Sequence, residues 1–107
     1  MPETVTLYRS VSLAEYESIM MSKQFSIPPG GNEMKQFAFT QSEAIAYAKT
    51  DLNAVAIIAV TVEKSIISEA WVSKTIDPFI FKNGVVSVPM ENIATINKSA
   101  IKIWHSF

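Results

Sequence analysis

The one arginine of this chain, Arg9, sits in an apolar segment where a permanent charge needs a partner. Thr4-Val5-Thr6-Leu7-Tyr8-Arg9-Ser10-Val11 reads as a strand, and its two-residue period puts Val5, Leu7, Arg9 and Val11 on one face. Thr4, Thr6, Tyr8 and Ser10 share the other. The guanidinium is thereby assigned to the face that should look at the core, and burying it unpaired costs several kcal/mol. Every other basic residue is a lysine, so arginine supplies a planar donor fork here and not charge alone. A buried carboxylate satisfies such a fork, and so does the phosphate of a ligand. From the residues alone both partners stay open, with Glu43, Glu91 and Asp77 as the acids for an ion pair.

The remaining chemistry is defined largely by exclusion. Cysteine is absent, which removes disulfides, thiolate nucleophiles and the usual zinc sites. A single histidine, His105, rules out a histidine-rich metal site and reads as an ordinary surface or edge-strand residue. No metal is expected. The acids are scattered singly, so no carboxylate pair of the glycosidase kind is visible. There is no GxGxxG turn, and Pro28-Pro29-Gly30-Gly31 lacks the lysine of a phosphate-cradling loop. A formal charge of −1 without a basic run argues against a long nucleic-acid track.

The elements that must hold Arg9 follow from local signals. Ser12-Leu13-Ala14-Glu15 is a capping box, with Val11 and Tyr16 at the staple positions, and it opens a helix to about Lys23. Tyr16, Ile19 and Met20 form its apolar stripe. Phe25 and Ile27 lead into the Pro28 to Asn32 loop, followed by a short strand from Lys35 to Thr40. There Phe37 and Phe39 should face the core, and Gln36, Ala38 and Thr40 should border a cleft with Arg9. A second capping box, Thr40-Gln41-Ser42-Glu43, opens a helix through Ala48, and its free N–H groups suit an anion. Val55 to Glu63 is apolar on both faces and predicts a strand covered on both sides. Ser65 to Lys74 is ambiguous, with Trp71 as its anchor. Val85 to Val88 is a strand stopped by Pro89. A turn through Ile93 and a terminal strand ending near Trp104 complete an α+β domain over residues 1–107, two helices early and strands late. No apolar run approaches the roughly 18 residues of a membrane span. The start, Met1-Pro2-Glu3-Thr4, has no signal-peptide pattern.

The order Leu7-Tyr8-Arg9-Ser10-Val11-Ser12, a glutamate-bearing helix, a Pro/Gly loop, and then Lys35-x-Phe37-Ala38-x-Thr40-x-x-Glu43-Ala44-x-x-Tyr47-Ala48 resembles the small ADP-ribosyltransferase-like domains at the C-termini of bacterial polymorphic toxins. Ile76-Asp77, Gly84 to Pro89, and Ile93 to Asn97 are similar to how those domains end. The resemblance spans nearly the whole chain. It implies a split, mainly antiparallel sheet and NAD as cofactor. The implied reaction cleaves the nicotinamide–ribose bond and passes ADP-ribose to a macromolecular acceptor, such as a protein, or to water. It also implies a toxin or effector working in its own or a target cell's cytoplasm, with a cognate immunity protein as partner. Arg9 matches the first-strand arginine that braces the cofactor's phosphate and ribose, flanked by Tyr8 and Ser10, while Thr40 falls near the strand that shapes the nicotinamide pocket. The family's late-strand glutamate would fall at Asn83-Gly84-Val85, which has no acid. Glu91, beyond Pro89, and Glu33, in the loop, are the catalytic candidates instead. A chain without a working acid would be a noncatalytic interaction or immunity module on the same fold.

Overall fold

A computed structural model describes residues 3–25, 34–75 and 79–107. The first strand, β1 (Thr4–Val11), turns at Ser12 directly into α1 (Leu13–Ser22). The Ser12 hydroxyl accepts the Glu15 backbone N–H at 3.4 Å, as the capping box predicts. The helix ends on Lys23, whose φ of 58° is the left-handed turn that lets its N–H close on the Ile19 carbonyl. After β2 (Lys35–Ala38), the Thr40 hydroxyl caps α2 (Gln41–Ala48) by accepting the Glu43 N–H at 3.2 Å. Next come β3 (Ala56–Glu63), a two-residue β4 (Val72–Ser73) after two short 3-10 turns, β5 (Val85–Val88), α3 (Ile93–Ser99) and β6 (Lys102–His105).

The strands form one antiparallel sheet in the order β4-β5-β2-β1-β3-β6. The ladder between β1 and β3 is complete, from Thr4 opposite Glu63 to Val11 opposite Ala56. Between β1 and β2 the register holds a single pair, Tyr8 opposite Ala38. The sheet is therefore continuous but nearly parted at this seam. This corrects the expected split core: the halves remain one hydrogen-bonded sheet.

Alternation along the strands builds a core on each face. Leu7 and Val11 of β1, Phe37 of β2, Ile58, Val60 and Val62 of β3, and Val86 and Val88 of β5 point to the larger one, beneath α1 and α3. Ile19, Ile93 and Ile96 reach it from those helices, and Phe25 meets Phe37 edge-on at 5.2 Å. Ala38, Ile57 and Val85 face the smaller core with Ala44 of α2 and Phe81. The β3 strand is thus covered on both sides, as its unbroken apolar run requires. Burial of these side chains is the main stabilising term.

Both early helices form as expected, and Ile93–Ser99 adds a third beyond the expected turn. Only Ile93 and Ile96 of its residues are buried, and seven residues give one i, i+3 pair, too little to separate a helix from a turn by pattern. Trp71 packs half-buried against the larger core, as expected of an anchor. His105 is exposed on the edge strand β6, where its Nδ1 lies 3.2 Å from the Tyr16 hydroxyl. The Pro28 to Asn32 loop, Glu33 and Asp77 lie outside the described residues. Among those described, no helix is long and apolar enough to cross a membrane.

Candidate functional site

Arg9 closes on a carboxylate, and the carboxylate is Glu15. Its Nε donates to Glu15 Oε2 at 2.7 Å and its Nη2 to Oε1 at 3.0 Å, a bidentate fork. Nη1 donates to the Gln36 carbonyl at 3.2 Å. The Lys35 ammonium stands 3.6 Å from Glu15 Oε2. All three side chains are mostly covered, at 20% exposure for Arg9, 14% for Glu15 and 8% for Lys35. Burial alone would raise the Glu15 carboxyl, but the Arg9 hydrogen bonds and charge, with Lys35 behind them, hold it below the usual carboxylate range. Glu43, Glu91 and Asp77 were the acids expected for this pairing, so Glu15 is a correction. The signal was in the capping box. A glutamate at the third helical position either returns to its cap or looks back along the strand before it. Here the strand carries a guanidinium, which wins the carboxylate.

Arg9 lines a cleft of about 190 Å³ that opens at the seam. Its polar part is Tyr8, Arg9, Ser10 and Gln36. Tyr47 and Phe81 supply aromatic rings with centroids 5.5 Å apart, while Ala38 and Ala44 are small enough to leave the space open. Met34 completes the lining. By alternation Arg9 belongs to the α1 face, yet its cleft neighbours Tyr8 and Ser10 belong to the α2 face. The parting of β1 from β2 reconciles the two. Where the ladder stops, Arg9 Nη1 bridges to the Gln36 carbonyl, and both residues belong to the cleft lining.

Of the residues expected at a cofactor, Tyr8, Arg9 and Ser10 come together in this cleft, and Gln36 and Ala38 border it as predicted. Thr40 is not among the lining residues. Its hydroxyl is spent on α2, accepting the Glu43 N–H and donating to Glu43 Oε1 at 2.7 Å. Glu91 is exposed on a 3-10 turn over Met90–Asn92. Beyond β5 the chain passes to the α1 and α3 side, where Met90 packs on the larger core, so Pro89 leads Glu91 away from the cleft. The residues described as lining the cleft include no carboxylate, and the described residues contain no cluster of potential metal ligands.

One acid went unnoticed in sequence as a structural centre. Glu43 is only 6% exposed and has no basic partner in any described ion pair. Its Oε2 accepts the Asn83 backbone N–H at 3.0 Å, and its Oε1 accepts the Thr40 hydroxyl and the Asn83 amide, the latter at 3.0 Å. Burial pushes this carboxyl up, and the hydrogen bonds from Thr40 and Asn83 more than reverse it. Asn83 stands where the resemblance expects a late-strand acid, and it serves as donor to an acid from α2. Gly84 follows with φ of 94°, and a side chain there would press on the Ser73 carbonyl at 3.0 Å. Beside Gln36 in register, Ser87 is buried with no hydrogen-bond partner for its hydroxyl among the described residues. Comparison with protein-family models, curated proteins and solved structures found no significant match.

Proposed function

We propose that the cleft at the β1–β2 seam receives one end of NAD and that the chain is an ADP-ribosyltransferase-like toxin or effector domain. The observation that supports this is the convergence of Tyr8, Arg9 and Ser10 with two aromatic rings around one opening. An arginine beside two aromatic rings suits a ligand with a flat heterocycle and a phosphate. About 190 Å³ is less than the roughly 300–1,000 Å³ of full small-molecule sites. The rest of the dinucleotide would then lie outside the described lining. Cleaving the nicotinamide–ribose bond builds positive charge on the sugar and calls for a carboxylate. Glu33 immediately precedes Met34, which lines the cleft, and on this reading it is the better catalytic candidate than Glu91. A macromolecular ADP-ribose acceptor and a cognate immunity protein are the partners such a domain would have.

A noncatalytic module is the second reading, favoured by the engagement of the Arg9 fork with Glu15. Calorimetry with NAD, paired with a nicotinamide-release assay in cell extract, separates the two. Binding with release that Glu33→Gln abolishes supports the transferase. Binding without release leaves the noncatalytic module. An absence of NAD binding removes the dinucleotide from both.

A further inference from the structure

We propose that Glu15 is a positioning residue, one that fixes how Arg9 presents itself to an oxyanion in the cleft. The inference rests on the ligand-binding reading of that cleft and names the group that sets its anion specificity. Glu15 holds the Nε and Nη2 edge of the guanidinium, and the Gln36 carbonyl holds Nη1. One N–H on Nη1 and one on Nη2 remain uncommitted among the described residues, and Arg9 lines the cleft. A guanidinium fastened at three points has little rotamer freedom left to lose when a ligand arrives, so its remaining donors are preorganised. Lys35, 3.6 Å from the same carboxylate oxygen, helps keep Glu15 ionised and turned toward the cluster. The site favours a phosphate oxygen set against the free end of the guanidinium over a side-on carboxylate, because the side-on fork is occupied.

The geometry distinguishes orientation from simple charge balance. If Glu15 acted by charge alone, removing it would strengthen anion binding, since a negative group beside the ligand would be gone. If it acts by orienting Arg9, removing it weakens binding, and only while Arg9 is present. The two effects have opposite signs.

The experiment is a double-mutant cycle on the full chain, with Glu15→Gln, Arg9→Lys and the pair, read by calorimetry with NAD and separately with inorganic pyrophosphate. Circular dichroism checks that each variant is folded. If Glu15→Gln does not fold, Glu15→Asp, which keeps the charge but shortens its reach, takes its place. Each single change should weaken binding about tenfold or more, and the pair should bind no more weakly than Arg9→Lys alone. The proposal is overturned if the Glu15 change leaves affinity unchanged or raises it, or if the losses multiply in the pair. Pyrophosphate binding that follows the predicted pattern without NAD binding would remove the dinucleotide and keep the positioning role. A parent that binds neither would remove both.

Discussion

Replacing Glu43 by glutamine should cost about 1.5–3 kcal/mol of folding stability, and the loss should fade in acid. The carboxylate accepts hydrogen bonds from the Thr40 hydroxyl at 2.7 Å, the Asn83 backbone N–H at 3.0 Å and the Asn83 amide at 3.0 Å. Asn83 is exposed, so water can replace the acceptor lost to its amide, and that bond counts for little. The other two are charge-assisted and partly buried. Glutamine retains one carbonyl acceptor and turns an NH2 group on the second donor, so one bond, worth about 1.5–3 kcal/mol, is lost. With urea m-values of about 1–3 kcal/mol/M, the unfolding midpoint should fall by about 1 M. The pH dependence has a definite sign. Glu43 has a folded-state pKa below its ordinary 4.5. Its stabilisation is therefore complete above the ordinary value and lost as pH falls through the lower, folded one. Glu15 shifts in the same direction and weakens the parent in acid as well. The parent-minus-variant difference isolates Glu43, because Glu15 is common to both. Urea titrations across the acid range measure that difference. A gap that stays constant down the whole range, or a loss below about 0.5 kcal/mol at neutral pH, would refute the account of Glu43 as an ionised structural centre.

Phe37→Ala should cost about 3–5 kcal/mol by urea unfolding, since the ring is fully buried against Phe25. Gly84→Ala should cost about 1–3 kcal/mol in the same assay, from the left-handed backbone and the close Ser73 carbonyl. Asn97→Ala should cost about 1–3 kcal/mol and raise amide exchange at Phe25, because the Asn97 side chain accepts the Phe25 N–H at 2.7 Å and donates to its carbonyl at 2.9 Å. Unchanged exchange at Phe25 would mean that the α3 helix does not hold the chain there.

What the sequence reveals here is mostly local. The bounds of β1, both capping serine and threonine residues, and the double coverage of β3 all follow from signals within a few residues. The partner of Arg9 was harder, although it lies only six positions away. A capping-box glutamate has two uses, and choosing between them depends on the direction in which α1 leaves β1. Glu43 poses the same ambiguity with a different outcome, because its carboxylate serves both the Thr40 cap and Asn83, forty positions on. Thr40 was assigned to the cofactor by the resemblance, and what the structure shows of it is the cap, its hydroxyl bonded to the N–H and carboxylate of Glu43. The seam had no local signal, and only the resemblance implied a divided sheet. It depends on β2 lying between β5 and β1, a long-range choice that no local pattern encodes.

The seam bears on how the chain folds as well as where the cleft opens. The strands β4, β5 and β2 lie on one side and β1, β3 and β6 on the other. Along the chain, the path crosses from side to side on going from β1 to β2, β2 to β3, β3 to β4 and β5 to β6. Neither side is a contiguous stretch, so neither can be cut out or synthesised first as an autonomous fragment. Four connections tether the two sides to each other across the seam at Tyr8 and Ala38. Equilibrium unfolding should accordingly be a single transition, and refolding should be slow for a chain of this size, because most strand pairing waits for distant segments to meet.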